Sequence, residues 1–128
     1  MDYSITKSTF EDLEVWKKSR ELRLELIAIV KDFSQDEKYR LTNQIITAAR
    51  SVTNNIAEGY GRFHFQENIQ FCRQARGSLY ELIDHLIISF DEKYITEEKF
   101  YDLKFKIYNI IKILNGYISY LKKQKELN

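Results

Sequence analysis

Residues 97–122 read EEKFYDLKFKIYNIIKILNGYISYLK, and this stretch decides the fold. Phe100, Leu103, Ile107, Ile110, Leu114, Tyr117 and Leu121 recur at alternating spacings of three and four, which puts them on one face of a helix. Thr96 precedes the run as an N-cap. Glu97 and Glu98 fall in the first turn, where the positive end of the helix dipole favours carboxylates. The pattern predicts a helix over about 97–122, with a polar, frayed tail beyond it. Tyr101, Phe105, Tyr108, Ile111, Ile113, Ile118 and Tyr120 lie off this seam. A helix that is apolar almost all round must bury more than one face. A four-helix monomer covers one stripe only, so the excess predicts a subunit interface built on Tyr101, Phe105, Tyr108, Ile113 and Tyr120. A broad core stripe edged by solvent-tolerant tyrosines is the other reading of the same residues.

Working back along the chain, three more segments carry the same period. In residues 65–90 the seam is Ile69, Cys72, Ala75, Leu79, Leu82 and Leu86, and a short break follows at 91–94. In residues 35–58 it is Leu41, Ile45, Ala48, Val52 and Ile56. Ser34 and Glu37 have the spacing of a capping box at the start of that helix, and Gly59 and Gly61 are expected to end it. In residues 10–33 the face is Val15, Ser19, Leu22, Leu26, Ile29 and Phe33, widened by Trp16, Ile27 and Val30 and capped by Ser8 or Thr9. Four long helices with short connections predict an all-α, up-down-up-down bundle forming one domain over residues 1–128.

Composition agrees. The chain has 128 residues, no proline and four glycines, so helix breakers are scarce. Net charge is +1, but by segment it runs −3 over residues 1–37, +4 over 38–76, −3 over 77–96 and +3 over 97–128. Lys38, Arg40, Arg50, Arg62, Arg73 and Arg76 all fall in the first basic segment and are candidate phosphate contacts. One cysteine, no apolar run of membrane-spanning length and no secretory signal pattern point to a cytoplasmic protein without a membrane partner.

Catalytic chemistry finds little footing. Two histidines and one cysteine, widely spaced, do not make a zinc site, and Glu81 with His85 reads as a pair on a helix surface rather than half of a di-iron motif. Cys72 sits on a core seam as a small hydrophobe. Glu58-Gly59-Tyr60-Gly61-Arg62 lacks phosphate-loop spacing and a preceding strand. No metal, cofactor or enzymatic activity is expected.

Ser51-Val52-Thr53-Asn54-Asn55-Ile56-Ala57-Glu58-Gly59-Tyr60-Gly61-Arg62 is the most informative segment. Asn is a poor helix former, so two in succession imply a specific hydrogen-bonding duty. Asn55 and Glu58 share a face with Ser51 and Gln44, within reach of Ser78 and Glu81 on the next helix or of a second subunit. With Leu13-Glu14-Val15-Trp16-Lys17, Leu41-Thr42-Asn43-Gln44-Ile45, Gly77-Ser78-Leu79-Tyr80-Glu81-Leu82 and Leu114-Asn115-Gly116, the segment resembles the 23S rRNA-intervening-sequence proteins. That family includes the accessory variability determinant of diversity-generating retroelements.

The resemblance implies a non-enzymatic bundle assembled as a homopentamer. It also implies that Asn55, Glu58, Gly59, Gly61, Ser78 and Glu81 are structural motif residues. For the retroelement members it implies binding of RNA or DNA beside a reverse transcriptase, through basic residues lining a ring. Two departures matter. Ile46 and Thr47 stand where members often carry basic residues, which thins the basic surface around Arg50, and no proline stands near Thr53. Two functions therefore compete: an oligomeric nucleic-acid-binding accessory protein, in which Tyr60, Phe63 and Phe65 are candidates for base stacking, and a protein-interaction scaffold that binds no nucleic acid.

Overall fold

A computed structural model describes residues 9–127; Ser8, one of the two expected caps, lies outside them. Four helices make up the fold: α1 (Glu14–Val30), α2 (Asn43–Gly61), α3 (Phe65–Asp91) and α4 (Glu97–Leu127). Among the described residues there is no strand. Each helix packs on its neighbours in chain order and α4 closes the ring against α1, the square of an antiparallel bundle.

The core is the set of seams read from the sequence, with instructive shifts. Val15, Leu22, Leu26, Ile45, Val52, Ile56, Ile69, Leu79, Leu82, Leu86, Leu103, Ile107 and Leu114 are buried. Ile111 and Ile118, assigned to the excess on α4, are also buried in the core, while Tyr117 only borders it. A straight helix turns 3.6 residues per cycle, so a strict seven-residue seam drifts and its flanking positions take over. Ser19, buried in the α1 seam, satisfies its hydroxyl on the Val15 carbonyl at 2.7 Å. Across the α1–α4 seam, Glu25 accepts from Lys106 at 2.9 Å and Lys99 at 3.5 Å. Hydrogen bonds from Glu25 first, then Asp102, hold the Lys106 ammonium above its ordinary pKa.

The helix ends depart most from expectation. Thr9 and Asp12 form a capping box around a short 3₁₀ turn, Phe10–Asp12, and extended Leu13 separates this turn from α1. Ser34 makes no cap hydrogen bond, because a 3₁₀ turn (Gln35–Glu37) and a π turn (Lys38–Thr42) precede α2. Glu37 caps the π turn instead, accepting from Leu41 N, and takes the Tyr94 hydroxyl at 3.2 Å. Gly59 lies inside α2 and does not end it, whereas Gly61 is its last residue. The polar tail is not frayed: α4 runs on to Leu127, and Lys125 donates to Gln66 of α3.

Among the described residues two are left-handed, and neither is glycine: Phe63 (φ 60°) and Lys93 (φ 64°). Lys93 closes α3 in a Schellman arrangement, with Lys93 N bonded to Phe90 O and Tyr94 N to Ser89 O. Lys93→Gly keeps these bonds and removes the Cβ penalty, so it is expected to raise stability by about 1 kcal/mol in a urea titration.

Candidate nucleic-acid interface and self-association surface

The six candidate basic residues do not converge. Lys38 and Arg40 sit at the end of the bundle where α2 begins. Arg40 there is held by Glu37 at 3.2 Å and by the Asp36 carbonyl, and Lys38 lies over the Tyr39 ring. Arg62 marks the opposite end, paired with Glu58 at 3.1 Å and Glu67 at 3.8 Å, its guanidinium over Phe71. Arg50 is exposed on the outer side of α2, one turn from Thr53, which takes a hydrogen bond from Arg23 of α1. Arg73 and Arg76 lie one turn apart on the α4 side of α3, where Arg76 donates to Asn115 at 2.7 Å. Arg50 and Arg73 have no ion-pair partner among the described residues.

Farther along the α3–α4 face, three of the aromatics expected at an interface share their stripe with two lysines that were not part of that expectation. Tyr101, Phe105 and Tyr108 of α4 are 56%, 74% and 45% exposed and share one helical stripe with Lys104 and Lys112. The Lys104 ammonium sits 5.6 Å from the Phe100 ring centre and 6.0 Å from that of Tyr108. Tyr80 of α3 meets Tyr108 edge-on at 6.4 Å and ties the stripe to the arginine side of α3. The outcome is a mixed aromatic and basic surface across α3 and α4. The spacing of Lys104, four from both Phe100 and Tyr108, was the available signal.

The other two proposed interface residues lie elsewhere. Ile113 packs partly against the core, and Tyr120 stacks on Tyr117 at 6.3 Å on the far side of α4. Helical geometry separates them: residues 113 and 120 are one face, residues 101, 105 and 108 another.

The motif residues form short contacts within the bundle. Asn55 donates from Nδ2 to the Ser51 carbonyl at 2.9 Å and to its hydroxyl at 3.0 Å, and Ser51 Oγ meets Ser78 Oγ at 2.9 Å. This cross-link between α2 and α3 uses Ser78 as expected. Glu58 turns outward to Arg62 instead. Gly59 is buried where α2 and α3 come closest: a Cβ there would lie 2.7 Å from Asn68 Oδ1 and 2.8 Å from Phe71 Cβ. Gly61 is exposed, with open space around its Cα.

Glu81 and His85 are not the surface pair that was expected, since His85 is only 7% exposed. Its Nε2 lies 3.7 Å from Glu81 Oε1, too long for a hydrogen bond, and neither ring nitrogen has a hydrogen-bond partner among the described residues. An unmatched buried polar group costs about 1–3 kcal/mol, so His85→Leu is expected to stabilise the fold by about 1 kcal/mol in thermal unfolding. Burial pushes the Cys72 thiol up to about 12, outweighing the opposing pull of Arg76. Thiolate is therefore negligible at neutral pH. Among the described residues no cluster of His, Cys, Asp or Glu is grouped to hold a metal, and no helix is long and apolar enough to cross a membrane.

Comparison with known proteins bears on the whole bundle. The family model described as 23S rRNA-intervening sequence protein matches residues 11–116. A crystal structure from Bacteroides thetaiotaomicron, described as a protein of unknown function from the S23 ribosomal protein family, superposes with a TM-score of 0.76 at 23% identity, covering 82% of this chain and 95% of that one. At that identity the likeness speaks for the fold. No curated protein matches the chain.

Proposed function

Because this chain belongs to the 23S rRNA-intervening sequence protein family, we propose that it is a non-enzymatic bundle that associates with copies of itself and binds nucleic acid through the arginines that association gathers. The supporting observation is the exposed row Tyr101, Phe105 and Tyr108 on α4, which Tyr80 ties to α3, the helix that carries unpaired Arg73 farther along. Large aromatics in a contiguous exposed patch favour a protein contact, and aromatic and arginine residues are the types enriched in such contacts. One copy offers few free arginines and therefore weak binding; repetition in an assembly multiplies it without any new contact. The contact would be to phosphate and independent of base sequence.

Light scattering tests the association. The wild-type protein is expected to run as a multi-copy assembly, and Phe105→Glu as a single copy with unchanged helical circular dichroism. A wild-type monomer at micromolar concentration ends this reading. The second reading, a scaffold without nucleic acid, draws on the engagement of Arg40 and Arg62 with carboxylates and on the net charge of +1. An assembled protein that shifts no RNA or DNA on a gel at low salt selects it.

A further inference from the structure

At the end of the bundle where α2 passes into α3, a cleft of about 530 Å³ opens beneath the turn. Its walls are mainly aromatic: Tyr60, Phe63, His64, Phe65, Tyr117 and Tyr120. No carboxylate lines it. Its volume lies within the range of small-molecule sites, and its make-up is theirs too, apolar walls with a few placed polar groups. Tyr117 and Tyr120 lie nearly parallel, with an interplanar angle of 16°.

Two features exceed what folding requires. Phe63 holds a left-handed backbone, φ 60°, and leaves its ring 86% exposed. A bulky side chain is disfavoured in that conformation, and an exposed ring gains nothing from burial, so the fold by itself favours glycine there. Such an outlier is most at home where a ligand is held. The second feature is Asn68, whose side chain is buried yet borders the cleft. Its Nδ2 donates to Tyr117 Oη at 3.1 Å and its Oδ1 accepts from Cys72 Sγ at 3.5 Å. An amide has two donors, and because Oδ1 also packs against Gly59 it is the second N–H that remains for a planar polar edge. Basic groups flank the same turn: Arg62, which a phosphate would have to draw from Glu58 and Glu67, precedes Phe63 in the chain, and Lys125 reaches Gln66 beside Phe65.

A flat ring with a hydrogen-bonding edge and a phosphate on either side is the chemistry these groups fit. We propose that the cleft takes one unpaired base of a single-stranded nucleic acid, stacked on Phe63 and Tyr120, its edge against Asn68 and its flanking phosphates near Arg62 and Lys125. This rests on the nucleic-acid reading above and adds the form of the strand. A base locked in a duplex shows no free face for stacking, whereas an unpaired one does, whatever its sequence.

The test compares two labelled DNA strands of equal length by fluorescence anisotropy with the full chain at one low salt concentration. One strand carries ordinary bases; the other is abasic throughout and keeps the same phosphates. The abasic strand is expected to bind at least tenfold more weakly, in line with the loss of a stacked base. Phe63→Gly, which relieves the backbone and leaves the core intact, is expected to reduce binding of the ordinary strand to the abasic level; Tyr120→Leu is expected to act in the same direction. Equal affinities for the two strands overturn the base cleft and leave phosphate binding standing. Binding of neither strand removes both ideas together.

Discussion

Gly59→Val is expected to destabilise the fold by about 3 kcal/mol, although replacing a mid-helix glycine normally helps a helix. A Cβ at this position would stand 2.7 Å from Asn68 Oδ1, 2.8 Å from Phe71 Cβ and 3.2 Å from the Asn68 carbonyl oxygen. The last two atoms are backbone or next to it, so no rotamer change clears them. Asn68 cannot swing aside cheaply either, because it is bonded to Tyr117 and Cys72. α2 and α3 must move apart along the seam that also contains the Ser51–Ser78 contact, and close-packed interiors resist such a shift. Urea unfolding followed by far-ultraviolet circular dichroism measures the loss. Gly77→Ala is the control: an added Cβ there meets nothing within 4 Å, so helix propensity alone should give a gain of about 1 kcal/mol. If both variants gain stability, the close approach of α2 and α3 is wrong.

The second large effect is on binding. Two copies presenting Arg73 and Arg76 together would neutralise about four phosphates. Raising salt from about 50 to about 200 mM should then weaken nucleic-acid binding about 150-fold, from a slope of roughly −0.9 per phosphate. The single-copy variant Phe105→Glu has about two such contacts, so its affinity starts lower and should fall only about twelvefold over the same range. A larger assembly steepens the first slope and leaves the second unchanged. Titrations of one labelled DNA duplex, which reads phosphate contacts alone, at four salt concentrations give both slopes. Equal slopes for the two proteins would show that association does not pool the charge, even if both bind. Arg73→Gln should flatten the wild-type slope in proportion to the number of copies engaged.

The sequence was a good guide wherever one residue type at one spacing has one physical outcome. The buried seams of α2 and α3 are the residues that periodicity named, from Leu41 to Ile56 and from Ile69 to Leu86. Thr96 caps α4 through Lys99 N at 3.1 Å, as its position ahead of two glutamates implied. The candidate site was less legible. Six basic residues close in sequence fall at both ends and on two sides of the bundle, because positions a few residues apart on a helix face different directions. The aromatic members of the α3–α4 surface were visible, and helical spacing already placed Lys104 and Lys112 on their face, but Tyr80 joined them only once two helices lay side by side.

Periodicity, caps and the scarcity of breakers are local properties of a chain, and from them the sequence alone determined four helices, their order and most of the core. The tertiary structure decided what depends on distance between helices. It put Ile111 and Ile118 in the core and left Tyr101, Phe105 and Tyr108 outside. It made Gly59 a contact point instead of a stop, and it passed the turn to Phe63. The physical reason is that a helix sets the direction of each side chain, whereas burial, collision and partnership exist only when a second surface comes within a few ångströms.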